Sequence, residues 1–315
     1  LRTSKYGIHH FVHKACGDCR STPETWQHLK AKQEIARACR VAGYDASTEA
    51  KGDGWRADVL AVKGNLRIAF EVQWSSQTWE VTQERQQKYA EVGVRGCWFF
   101  KTPPTNYSAN RDIPLFRLDI TETACTVYSP QGYESWPDWP SRDIPLAEFV
   151  GALLSGKLKF CDELRAAKRQ KIRMVFVETN CWRCKKLFHV YYLHDLKSPC
   201  GNEVKANLFD GQMVAMAIDF VRTPAGRHIQ LGDIKKRYSN TVNDSYMSFG
   251  CPHCDAIVGD FFLTTDILLE APYFEDKAPA ILEKEITLSK QIAHPDPHWC
   301  FSETGDFCCA QKTHR

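Results

Sequence analysis

The chain has 315 residues (36.0 kDa), 43% of them hydrophobic, which is enough for two domains with separate cores. Its 41 basic and 38 acidic residues are interspersed and leave a formal charge of +3, so charge alone does not indicate a nucleic-acid partner. No run of ~18 apolar residues occurs, and the opening LRTSKYGIHH lacks the character of a secretory signal, which argues against a spanning helix and for a cytoplasmic protein.

Residues 1–20 are rich in His and Cys. Thr22-Pro23 then reads as N-cap and first position of a helix that runs to about Ala42 and stops at Gly43. Two strands follow, at about 55–62 and 66–74, joined by a turn containing Gly64-Asn65. Ser75-Ser76 suits the cap of a second helix that ends near Val92. GCWFF (96–100) reads as a buried strand. LFRLDI and CTVYS are strand-like segments within the Pro-, Asn- and Ser-rich stretch 101–143. PLAEFVGALLSGKLKF (145–160) has helical periodicity, and a charged helix is expected to continue to Lys171. The order helix, strand, strand, helix, strand suits an α/β sandwich. Beyond 172, IRMVFVET and LFHVYYL read as strands and GQMVAMAIDFV as a helix.

The paired strands each carry a carboxylate, and this is their unusual feature. Strand side chains alternate between faces, so Glu71 and Gln73 point the same way, and Asp58 on the partner strand can reach that face. Two carboxylates close together repel and raise one pKa unless a cation neutralises both. A hard divalent ion such as Mg2+ fits, and it can activate water and stabilise charge on a phosphate. The pattern Asp58, twelve residues, Glu71-x-Gln73 therefore reads as a metal-dependent phosphodiesterase site. The competing reading makes both acids solvated positions on a half-exposed hairpin.

The first helix bears on that choice. With ~100° per residue and His28 at zero, Leu29, Ala31, Ile35, Ala36, Ala38 and Cys39 share one side. Lys32 and Glu24 fall on this apolar stripe beside His28. Three ionisable residues at i, i+4 and i+8 on a packing face need partners, and the hairpin acids are available. The alternative is that the helix start overhangs the core and leaves Glu24 and His28 wet.

Taken together, ETWQHLKAK, RADVL, IAFEVQWSS, Arg85 with Tyr89 and Gly93, and CWFF resemble the nuclease domain of CoiA-like competence proteins, and HHFVHK resembles that family's F-x-H segment. The resemblance covers about residues 8–100. It implies a PD-(D/E)XK restriction-endonuclease-like sandwich of α-β-β-β-α-β type, DNA processing and a Mg2+ (or Mn2+) cofactor. It also implies metal-ligand roles for Asp58 and Glu71, with Gln73 in the usual lysine position. An amide orients water but carries no charge, so Lys32 is the candidate for that charge and His28 for a proton relay, a phosphate contact or a helix anchor. Arg85 and Tyr89, an i, i+4 pair, suit either DNA phosphate contact or structural pairing. Trp74, Trp79 and Trp98 suit base stacking or, more simply, core packing.

Fourteen cysteines in a long chain, several as C-x-x-C, favour metal binding over disulfides. Cys181 and Cys184 in CWRC and Cys251 and Cys254 in CPHC form two knuckles suited to a closed tetrahedral Zn2+ of zinc-ribbon type, with an insertion that contains the basic KKRY (235–238). His13, Cys16 and Cys19 form a weaker zinc candidate. Cys200, Cys300, Cys308 and Cys309 have no recognisable ligand spacing.

The sequence thus leads to four parts: an N-terminal segment (1–20), a PD-(D/E)XK-like nuclease domain (21–171), a smaller zinc-ribbon domain with insertion (172–270) and a C-terminal tail (271–315). The expected partners are DNA, single-stranded or branched, and recombination proteins. A non-catalytic DNA-binding accessory protein and a zinc-stabilised interaction scaffold stay open as alternatives.

Overall fold

A computed structural model describes residues 2–3, 9–10, 24–128, 143–263, 265, 275, 277–302 and 305–309. The chain divides into two units, 1–164 with 295–315, and 165–294. This differs from the boundaries read at 171 and 270. The stretch drawn as a tail, 271–315, is shared between the units: one part adds a strand to the second, and the last part returns to the first.

In the first unit, β1 (Arg2–Thr3) pairs antiparallel with β2 (His9–His10). Helix α1 (Trp26–Val41) is capped by Thr25, whose hydroxyl accepts from His28 N at 3.3 Å. The cap is therefore Thr25, three residues after the expected start, and Glu24 lies just outside the helix. Thr22-Pro23 lie outside the described residues. Then come β3 (Asp45–Gly52), β4 (Trp55–Lys63), β5 (Leu66–Gln73), α2 (Trp79–Glu91), β6 (Arg95–Phe100), β7 (Leu115–Ile120), β8 (Cys125–Val127), β9 (Ile144–Pro145), α3 (Leu146–Leu154) and β10 (Leu158–Arg165).

Strands β3 to β9 form one seven-stranded mixed sheet in chain order. It is antiparallel across β3-β4-β5, parallel across β5-β6-β7 and antiparallel again across β7-β8-β9. Side-chain alternation sorts the two faces. Ile68, Phe70, Val72, Cys97 and Phe99 pack with α1 and α3, whereas Ala69, Trp98 and Phe100 pack with Tyr89 of α2. The result is a three-layer α/β sandwich. It contains β3, a strand absent from the sequence reading because DASTEAKG is polar and mostly exposed, with no apolar alternation to reveal it.

Two helix expectations need correction. Helix α2 starts at Trp79 with Thr78 as its cap, because Ser75 is otherwise engaged: its carbonyl and hydroxyl both take the Gln73 amide at 3.0 Å. Helix α3 ends at Leu154, and Gly156 follows at a φ of 77°. The expected helix over 155–171 is instead β10 and the start of the next strand, β11 (Arg169–Asn180). Buried Leu158, Cys161 and Leu164 recur every three residues, a spacing that imitates a helix.

The second unit holds β11 (Arg169–Asn180), β12 (Leu187–Leu193), the short β13 (Leu196–Lys197) and β14 (Glu203–Val204), α4 (Gly211–Val221), β15 (Asp233–Ser239), β16 (Asp244–Gly250) and β17 (Ala280–Thr287). One sheet has the order β12-β11-β17, and β15-β16 is a separate hairpin. Phe176 stacks on Phe220 at 5.1 Å, and Tyr191 meets Phe249 edge-on at 5.1 Å.

Strand β18 (Ala293–Phe301) pairs with β10. Its Trp299 packs edge-on against Phe116 and Phe160 (6.1 and 5.5 Å), and its indole N–H donates to Asn110 O at 3.1 Å. The C-terminal strand is thus part of the first unit's core. Trp299→Ala should cost about 3 kcal/mol of that unit's stability, read as a lower urea midpoint at unchanged slope. No helix among the described residues is long and apolar enough to cross a membrane.

Candidate metal and nuclease site

The site forms where the β4–β5 ladder opens. Pairing runs from Lys63↔Leu66 to Val59↔Phe70 and goes no further. At the next step Asp58 turns its carboxylate to accept from Val72 N at 2.8 Å, so a side chain takes the place of a ladder bond. Across β4 the β3 strand is distorted too. Glu49 sits between the pairs Thr48↔Val59 and Ala50↔Ala57 with a φ of 56°. A left-handed backbone is uncommon outside glycine and often marks a constrained site.

Helix α1 lays its polar stripe over this opening. His28 Nε2 lies 3.1 Å from Asp58 Oδ2, and its Nδ1 is 3.7 Å from Glu24. Lys32, only 3% exposed, donates to Glu24 at 2.8 Å and also contacts Glu49. Glu49 in turn pairs with Arg56. Burial alone would lower the His28 pKa, but the Asp58 hydrogen bond and the negative charges of Asp58, Glu24 and Glu71 outweigh it and raise it.

From the other face, α2 holds Glu71. The Tyr89 hydroxyl lies against Glu71 Oε1 and 2.6 Å from Arg56 O, and Arg85 pairs with Glu71 Oε2. Arg85 also reaches Gln77 at 3.2 Å and lies over the Trp98 ring at 4.9 Å. Glu71 is 2% exposed. Burial and then the Asp58 charge push its pKa up to about 7, although Arg85 and Tyr89 act in the opposite direction. Glu71 therefore titrates near neutrality, as expected of a carboxyl with a like-charged neighbour.

Each residue of the sequence reading can now be placed. Of Glu24, His28 and Lys32, His28 meets the hairpin acid Asp58, whereas Lys32 pairs with Glu24 and with Glu49 of β3 rather than with a hairpin acid. The ligand atoms that gather within 4.8 Å of one another are those of Glu24, His28 and Asp58. Glu71 is not in that set. It lies close enough for its pKa to register the Asp58 charge, but its oxygens are held by α2 while those of Asp58 are held by α1 and β5. Gln73 is half-buried and turned to Ser75. Tyr89 is 1% exposed, so it has no surface to offer DNA; it positions Glu71 instead. Arg85, a third exposed on its side chain, also spends its charge on Glu71. Trp98 is core, Trp79 packs edge-on to Tyr107 at 5.3 Å, and Trp74 is half-buried beneath Lys101. The sequence reading missed Glu49. Its only signal was a carboxylate in a polar segment, and the backbone twist that aims it is not visible in sequence.

In the second unit the four thiols of Cys181, Cys184, Cys251 and Cys254 gather within 4.8 Å. Cys181–Cys254 and Cys184–Cys251 are 3.6 Å apart, against about 3.8 Å for the sulfur–sulfur edge of a Zn–S tetrahedron. The knuckles share one backbone plan. Cys181 N donates to Lys186 O and Cys251 N to Ala256 O, both at 2.9 Å, and Lys185 and Asp255 have φ values of 62° and 55°. The KKRY segment lies on β15. Arg237 is buried and donates to Asp255 at 2.7 Å, and Lys235 pairs with the same carboxylate at 2.8 Å, so two of the segment's three basic side chains are engaged internally. His13, Cys16 and Cys19 lie outside the described residues, as does the HHFVHK resemblance apart from its first two residues' backbone.

Residues 24–132 match the family described as competence protein CoiA, nuclease-like domain. No curated protein matches the chain. The matched stretch begins at Glu24 and contains every member of the α1–β4–β5–α2 cluster, so this site lies within the part of the chain that is similar to the nuclease-like domain of competence protein CoiA.

Proposed function

We propose that the first unit is a metal-dependent DNA nuclease of PD-(D/E)XK type that hydrolyses phosphodiester bonds in single-stranded or branched DNA during DNA processing or recombination. One observation carries the reading: a carboxylate buried to 2% exposure, with its pKa raised to about 7, beside a second carboxylate at an opening in the sheet. Left without a cation that pair is costly, and a hard divalent ion relieves it. Asp58 and Glu71 are the acids assigned to Mg2+ or Mn2+; the ligand atoms already gathered are those of Glu24, His28 and Asp58, and Glu71 would have to leave its Arg85 and Tyr89 partners to join them. Once bound, such an ion supplies an activated water and neutralises charge developing on phosphate.

The chain's own groups do the rest. His28 and the Val72 amide orient Asp58, and Arg85 with Tyr89 orients Glu71. Gln73 has an amide able to align a water but brings no charge. Lys32 brings charge to the α1 side of the opening, where Glu24 and Glu49 fix its position. In the second unit, the four thiols of the two knuckles suit a structural Zn2+ with no open position, which supports folding rather than chemistry.

Purified protein should cut single-stranded, linear or branched DNA with Mg2+ or Mn2+ and not with EDTA. Asp58→Ala and Glu71→Ala should each lower the rate by at least about 100-fold, because each removes a group that acts on the reacting phosphate through the metal. Lys32→Met should lower turnover while metal binding survives. Cutting that persists in both acid variants would refute the assignment. DNA binding without cutting in the wild type would favour an accessory protein that retained the fold, a reading supported by Gln73 in the lysine position and by the separate anchoring of Asp58 and Glu71.

A further inference from the structure

We propose that the C-terminal strand of the first unit carries a second metal site, built by His298, Cys300 and Cys308 and suited to Zn2+. All three side chains are fully buried, and their ligand atoms lie within 4.8 Å of one another. The arrangement has a simple origin. His298 and Cys300 are two apart on β18 and so face the same way. The chain then turns through Gly305, at a φ of 83°, and returns Cys308 to within 3.6 Å of Cys300.

Three further observations point to a ligand rather than to three core residues. First, the Cys300–Cys308 separation equals those in the four-thiol cluster and is far beyond the ~2.05 Å of a disulfide. Second, Cys308 N donates to Cys300 Sγ at 3.4 Å, as Cys184 N does to Cys181 and His253 N to Cys251 at the same distance. Amide donors of this kind stabilise thiolates. Third, His298 Nδ1 lies 2.7 Å from Asp296 O, which fixes Nδ1 as the protonated nitrogen and makes Nε2 the ligand-competent one. That is the carbonyl support commonly found behind metal-bound histidines. Next to the trio, Cys309 N donates to the thiol of Cys161 on β10 at 2.9 Å, so sulfur also lines the adjoining strand. Imidazole with thiolates is a zinc donor set. The ion would tie the returning C-terminal segment to the nuclease-like unit, a role the sequence does not suggest because the ligand spacing H-x-C-x7-C follows no familiar pattern.

The test is zinc content per chain after purification under reducing conditions. Cys308→Ser should carry one equivalent less than the wild type, and Cys308→His, which restores a ligand, should recover it. Equal zinc in wild type and Cys308→Ser would overturn the proposal, as would a Cys300–Cys308 disulfide in the wild type under those conditions. If neither variant folds, zinc-edge X-ray absorption of a His13→Ala protein decides. A mixed sulfur and nitrogen shell supports the site, and an all-sulfur shell overturns it.

Discussion

Cys251→Ser, or zinc removal by a strong chelator, is expected to unfold the knuckle end of the second unit while strands β4 to β7 of the first unit stay folded. The four thiols come from two segments that a single ion would join, the β11–β12 turn and the end of β16. Without metal, four cysteines, two of them nearly fully buried (Cys181 and Cys251), contribute little beyond their own packing. With metal, the apparent binding energy of a structural zinc, roughly 10–16 kcal/mol in small domains, becomes folding energy. Amide hydrogen exchange is the appropriate measurement. Protection should collapse over 181–187 and 244–258 and persist over β4 to β7. Unchanged protection at both knuckles after chelation would show that they need no ion.

The second large effect is a gain in stability. In metal-free protein at pH 8, Glu71→Gln should be more stable than the wild type by up to about 3 kcal/mol, and the difference should vanish near pH 4.5. Glu71 holds its proton to about pH 7 when folded, against an ordinary 4.5 in the unfolded chain. Between these values folding takes up a proton, so stability falls as pH rises through the window. The difference of about 2.5 between the two values converts to about 3 kcal/mol. His28, also raised, adds a slope of the same sign. Because the Glu71 charge is one of the causes of the His28 shift, the difference between variant and wild type reports Glu71 together with its effect on His28. Urea melts with EDTA across pH 4.5–8 measure it, and parallel curves would show that Glu71 is not strained by its charge. Mg2+ should then raise the wild-type Tm at pH 8 and leave Glu71→Gln unmoved, because an ion that prefers the ionised carboxyl stabilises only the chain that has one. A site that is destabilising until it binds its cofactor is the usual exchange of stability for function.

Much of this site was legible in the sequence because its residues violate the local pattern. Asp58 and Glu71 interrupt buried strands, and His28 and Lys32 interrupt an apolar helix stripe. Such violations identify the participants but not their pairing. The pairing depends on where the backbone departs from regular strand geometry. The end of the β4–β5 ladder at Val59 sends Asp58 to His28, and the left-handed Glu49 draws Lys32 toward β3. The misread helix at 155–171 has the same character. A three-residue recurrence of apolar residues fits a helix locally, and only pairing with β18, well over a hundred residues later, makes β10 a strand.

Hydrophobic periodicity, turn glycines and the spacing of charged and thiol residues by themselves determined the α/β class, helices α1 to α4 in outline, strands β4 to β8, β11 and β12, the hairpin acids and the four-cysteine cluster, because these depend on contacts close in sequence or on ligand motifs that repeat. Tertiary structure alone decided that Tyr89 is a buried support for Glu71, that Glu49 completes the charge network, and that the last strand folds back into the first unit with His298, Cys300 and Cys308 together. Those outcomes depend on contacts between segments far apart in the chain, and local pattern carries no record of which distant segment supplies the partner.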